Sequence, residues 1–116
     1  GPLQHLSATR MDFIDTHVHL WDATSLPPWL ADPALASIAR TRSLSDFNVE
    51  ASGGALSLCG GVYMEVDVAP ADREREVACV VEMCGVPGSR LLGAVIGAPV
   101  VDGTLEEFTT YVREWA

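Results

Sequence analysis

The sequence predicts an α/β fold on a parallel sheet, and three observations predict it. Three strand-like segments alternate with helical patterns, the order of βαβ units. Val77, Val80, Val81 and Cys84 recur at i, i+3, i+4 and i+7, one face of a helix. The last strand segment, Leu91 to Ala98, is apolar throughout, as in a strand covered on both faces. A doubly wound sheet and a (β/α)8 barrel share this order, and three strands do not separate them. A barrel uses ~31 residues per βα unit. Residues 11–116 hold three units plus a long first loop, so they read as the N-terminal three βα units of a (β/α)8 TIM barrel.

In chain order, Gly1-Pro2 reads as a protease-cleavage remnant and Met11 as a native start, so residues 1–10 are set aside as a tag. Asp12 to His19 reads as the first strand. Pro27-Pro28 and Asp32-Pro33 punctuate the following stretch, because proline cannot continue a helix and restricts the residue before it. Pro33 to Arg40 is expected to form a short helix and Ser43-Leu-Ser-Asp46 to open a second. Ala55 to Cys59, between two glycine pairs, reads as loop or helix end, and Gly61 to Val68 as the second strand. Pro70 suits the first turn of the next helix. Arg73 to Glu76 cover its solvated turns, and Gly85, Pro87 and Gly88 end it. Thr104-Leu-Glu-Glu107 is a capping-box pattern. Leu105, Phe108, Val112 and Trp115 then carry an apolar stripe to Ala116 without a stop signal, which reads as a chain that continues.

Sixteen acidic residues against seven basic ones give a net charge of −9. A phosphate backbone is therefore not an expected partner, since nonspecific nucleic-acid binding needs clustered cations. No apolar run reaches the ~18 residues of a membrane span, and no signal peptide is visible. Cys59, Cys79 and Cys84 are odd in number and irregular in spacing, which reads as reduced thiols in a cytoplasmic protein. Cys79 and Cys84 are expected to face the core or be half-buried.

Asp15-Thr-His17-Val-His19 carries the sharpest chemical signal. Side chains two apart on a strand share a face. His17 and His19 could therefore reach one metal ion at the C-terminal end of the first strand, where barrel active sites are built. Asp15, placed on the same face, could orient a histidine. On the second strand Val62, Met64, Val66 and Val68 are assigned to the outer face, and Tyr63, Glu65 and Asp67 to the lumen. A carboxylate there could bind metal, hold a substrate hydroxyl or position water. Gly93 and Gly97 on the third strand read as close packing. Trp21, Asp22 and Trp29 lie on the long first loop, where the aromatics either wall a pocket or fold into the loop itself.

Ile14-Asp-Thr-His-Val-His-Leu-Trp-Asp22 resembles the opening strand of the amidohydrolase superfamily. Leu20-Trp21-Asp22 resembles its lactonase-like branch, and Val62 to Val68 with Pro70 to Glu76 is similar to that branch's second strand and helix. The resemblance implies a barrel hydrolase acting on a cyclic ester of a sugar acid or related dicarboxylate. It implies His17 and His19 as ligands of a divalent metal, zinc ahead of manganese, with Glu65 as a catalytic carboxylate. Tyr63 and Trp21 would bind substrate, and Asp15 would support the ligands. The superfamily's further histidines and catalytic aspartate would come from strands beyond residue 116, so the isolated chain is expected to be inactive. The expected partners are a small-molecule substrate and the rest of the barrel or a second copy to cover the strand edges, with no nucleic acid and no membrane. Two rival readings are a TatD-type nuclease or decarboxylase on the same opening motif, and a noncatalytic assembly module.

Overall fold

The computed structural model describes residues 10–116; the segment set aside as a tag lies outside the described residues up to position 9. Strand β1 (Met11–Val18) leads into a long loop with two single 3-10 turns, Pro28–Ala31 and Pro33–Leu35. Helix α1 (Leu44–Glu50), strand β2 (Leu56–Met64), helix α2 (Arg73–Gly85), strand β3 (Leu91–Val95) and helix α3 (Leu105–Trp115) follow. The strands form one parallel sheet in the order β1-β2-β3. Both crossovers carry a helix, as parallel neighbours require.

Local chemistry explains the helix starts. Ser43 caps α1: its hydroxyl accepts from the Asp46 N–H while the Asp46 carboxylate accepts from the Ser43 N–H. Thr104 and Glu107 do the same for α3. These reciprocal bonds satisfy amides that have no partner within the helix. Pro70 opens a 3-10 turn, Pro70–Asp72, that runs into α2.

The fold departs from the sequence expectations at several points. The Pro33 helix is only a 3-10 turn, held by Asp32, whose carboxylate accepts from the Ala34 N–H. β2 begins at Leu56 and ends at Met64, so Ala55 to Cys59 mostly joins the strand. The Gly60-Gly61 pair that reads as punctuation lies inside the strand, at two positions where a side chain would press on its neighbours. A Cβ on Gly60 would stand 2.7 Å from the Leu92 side chain, and one on Gly61 3.2 Å from Val18. Glycine in a strand marks such close approach. β3 stops at Val95. Cys79 is exposed on α2, while Cys84 is half-buried.

The core lies between the sheet and α2, where Val18, Leu20, Tyr63, Val66 and Val80 form one buried cluster. Val77 and Val80 put α2 onto the sheet, while Val81 stays largely exposed. The expected faces of β2 are thus reversed at Tyr63, which is 2% exposed and packs toward α2 rather than a lumen. Val66 joins it because the chain leaves the strand after Met64 and alternation ends there.

β1 contains a bulge. Asp15 pairs with Gly61 and Val18 with Tyr63, so Thr16 and His17 together oppose the single residue Val62. The bulge takes His17 out of the regular ladder, and the Asp15 carboxylate accepts its N–H at 3.0 Å.

Candidate functional site at the strand ends

Val18 is buried in the core, so His17 and His19 on either side of it stand on the opposite, open face. Their Nε2 atoms are 3.0 Å apart, with the rings edge to face. The His19 Nδ1–H donates to the Met64 carbonyl at the end of β2, also at 3.0 Å. In a neutral ring that bond fixes the tautomer and leaves His19 Nε2 as a lone pair, which accepts from the His17 Nε2–H. The shared face expected from the i, i+2 spacing is what the fold builds.

The pair supplies two of the several donors that a divalent ion takes. Histidine nitrogens bind zinc at ~2.0–2.1 Å, so two nitrogens 3.0 Å apart can reach one ion. A backbone carbonyl holding the far nitrogen of a ligand histidine is the usual support for such a site. Among the described residues no cluster of three or more His, Cys, Asp or Glu could hold a metal, so the described residues offer two imidazoles and no third ligand beside them. The Asp15 carboxylate serves the bulge, not an imidazole.

Glu65 follows directly on Met64. Its N–H extends the ladder to Val95 O at 3.0 Å, and its Oε2 accepts from the Asp67 N–H at 2.6 Å. Asp67 has φ 52°, the left-handed region that a non-glycine residue rarely enters. Glu65 Oε2 and the Arg73 side chain both border Gly97, just past β3. Arg73 in turn grips Asp102 through both carboxylate oxygens at 3.2 Å.

Tyr63 does not share that face. Its hydroxyl donates to Glu76 Oε2 on α2 at 2.8 Å, and burial, reinforced by that carboxylate, pushes its phenol well above the usual range. Trp21 is also occupied by the fold. Its Nε1–H reaches Ile38 O at 3.2 Å and Arg40 O at 2.8 Å, and its backbone bridges Arg42. Its indole therefore closes the long loop on itself. Trp29 stacks on it edge to face at 5.7 Å and reaches out to Val66 O at 2.7 Å. Glu76 is the residue the sequence reading missed, having been placed among solvated turns. It lies one turn before Val80 on the same helix face, a spacing that would have flagged it.

Among the described residues no helix is long and apolar enough to cross a membrane. No family model matches the sequence, and no curated protein matches it. A solved structure does: Amidohydrolase 2 from Bifidobacterium longum subsp. infantis is similar over 78% of this chain, with 30% sequence identity and a TM-score of 0.62. The chain spans 35% of that protein's length, so the likeness joins this mixed α/β, three-stranded parallel unit to part of an amidohydrolase.

Proposed function

We propose that this chain is the N-terminal portion of an amidohydrolase-superfamily hydrolase, a lactonase opening the cyclic ester of a sugar acid or related dicarboxylate. The observation that carries the reading is the pair of Nε2 atoms 3.0 Å apart on the open face, at the C-terminal end of a parallel strand. The solved neighbour, named an amidohydrolase, supports the superfamily. The lactonase branch rests on the Leu20-Trp21-Asp22 extension of the first-strand motif.

In this reading His17 and His19 hold a divalent ion, zinc ahead of manganese. When bound, such an ion polarises a carbonyl and brings the pKa of bound water to ~7. With Nδ1–H donated to Met64 O, His19 would offer Nε2 as its ligand nitrogen, and His17 would offer its own Nε2 in the tautomer that carries the ring proton on Nδ1. Glu65 acts as the carboxylate at the rim, accepting a hydrogen bond from substrate or water. Asp15 holds the bulge that presents His17. The free edges of β1 and β3 are covered by the remainder of the barrel.

The test uses the complete protein. Isothermal titration should show Zn²⁺ or Co²⁺ binding that His17→Ala or His19→Ala weakens by about 10- to 100-fold or more. A panel of γ- and δ-lactones run beside single- and double-stranded DNA should show ester opening that depends on both histidines. DNA cleavage without lactone turnover would replace this reading with the nuclease one.

A further inference from the structure

The three residues that leave β2 are fixed from several sides. Glu65 N–H donates to Val95 O, and Asp67 N–H to Glu65 Oε2. Val66 is held at both ends of its peptide unit. Its N–H donates to Glu76 Oε2 at 3.2 Å, and its carbonyl accepts from Trp29 Nε1 at 2.7 Å. These last two partners come from distant elements, Trp29 from the β1–α1 loop and Glu76 from α2. Between them they brace a turn whose next residue, Asp67, sits at φ 52°. A left-handed non-glycine residue persists where its surroundings over-determine it.

The place of this turn matters more than its rigidity. It begins one residue after Met64, whose carbonyl fixes the His19 tautomer. It carries Glu65, the carboxylate that follows Met64 directly in the chain. Trp29 is 39% exposed, so burial of its ring does not account for where its indole N–H is directed. Glu76 turns a single oxygen to two donors, Tyr63 OH and Val66 N–H, joining the core to the turn.

We infer that Trp29 and Glu76 are positioning residues. They form a two-sided clamp on the Glu65–Asp67 turn, and through it they aim the Glu65 carboxylate at the rim of the histidine site. Neither needs to touch substrate. The kinetic arm of this inference rests on the proposed hydrolase reading; the structural arm does not.

Three variants of the complete protein test it. Trp29→Phe keeps a ring and removes the donor. Glu76→Gln keeps an oxygen that can accept both bonds, and Glu76→Leu removes it. Hydrogen–deuterium exchange at the Val66 and Asp67 amides reads the turn, and kcat and KM on a γ-lactone read the site. Trp29→Phe and Glu76→Leu should speed exchange at the turn about tenfold, with distant core amides unchanged in Trp29→Phe. Both should lower kcat about tenfold or more with KM nearly constant, the signature of a misplaced group. Glu76→Gln should stay within about threefold of wild type on both readouts. Unchanged exchange in Trp29→Phe overturns the clamp, and faster exchange with unchanged kcat overturns its role in the site. Should Glu76→Leu fail to fold, Trp29→Phe alone carries the decision. If wild-type protein opens no lactone, the reaction falls, and the exchange data still decide the clamp.

Discussion

Two buried tyrosines mark two differently finished regions. Tyr63, under α2, has its hydroxyl bonded to Glu76 and sits among Val18, Leu20, Val66 and Val80. Tyr111, on α3, is also buried, though less deeply, yet its hydroxyl has no partner, and neither does the nearby Trp115 Nε1. Leu105 on the same helix is 80% exposed. An apolar cavity of about 490 Å³ runs between α2, β3 and α3, lined by Cys84, Ala94, Phe108 and Trp115. The difference teaches where the fold's cooperativity lies. The first region closes its hydrogen bonds within the described residues, and the second buries polar atoms without doing so. An unpaired buried polar group costs free energy that a paired one does not.

The largest effect expected from this contrast is in packing. Leu20→Ala should cost about 2–5 kcal/mol, while Leu105→Ala should stay within about 0.5 kcal/mol. Urea unfolding of both variants measures the gap, and equal costs would erase it. The tyrosines sharpen it further. Tyr63→Phe should cost about 1.5–3 kcal/mol, because a hydrogen bond to a charged group is lost in a buried place. Tyr111→Phe should be neutral or stabilising by about 1 kcal/mol, since it removes a hydroxyl that bonds nothing.

Alkali provides a smaller test. Burial first, and the Glu76 carboxylate second, raise the Tyr63 phenol; burial also raises Tyr111. A folded-state value above the unfolded one of ~10 stabilises the protein fully below that pH, and the contribution is lost as pH rises beyond it. Thermal melting between pH 9 and 11 should fall, and Tyr63→Phe should flatten more of the fall than Tyr111→Phe. The smallest effect concerns α1. The Ser43 N–H and hydroxyl hold the Asp46 carboxylate below its usual range, so the cap is intact above ~pH 4 and weakens as pH falls. Ser43→Ala should cost about 0.5–2 kcal/mol and move amide exchange in α1 first.

Features whose signal is local were legible in the sequence. The Thr104–Glu107 capping box and the helix start at Ser43 could both be placed because a hydroxyl and a carboxylate three residues apart satisfy amides at a helix start. The shared face of His17 and His19 is expected from strand periodicity, although the fold reaches it through the β1 bulge and with His19 just past the strand end. The start of β2 was hidden because its glycines serve Val18 and Leu92, residues remote in sequence. The direction of Tyr63 was hidden for a related reason. Alternation reads a phenol as polar and sends it to a lumen, whereas Glu76 on another element gives that hydroxyl a place inside. For Trp21 the sequence leaves pocket wall and loop closure open, and both hold: carbonyls 17 and 19 residues along the chain fix its indole N–H, and the ring lines a cavity of about 450 Å³ beside Leu20 and Tyr63.

The bulge in β1 has a consequence for how the molecule tolerates change. Two residues stand where one would do, so β1 carries a spare position without altering which way the later side chains look. Deleting Thr16 would remove this irregularity and leave Val18 opposite Tyr63, with the other register shift, between Phe13 and Ile14, still in the ladder. The imidazole of His17 would be carried on a different backbone path, and the Asp15 carboxylate would lose the free amide it serves. Architecture and chemistry thus make different demands on one residue: dispensable spacing for the first, the aim of a ligand for the second. A deletion variant that melts close to wild type yet no longer binds Co²⁺ is the outcome expected, and one that binds Co²⁺ unchanged would show that the bulge does nothing for the histidines.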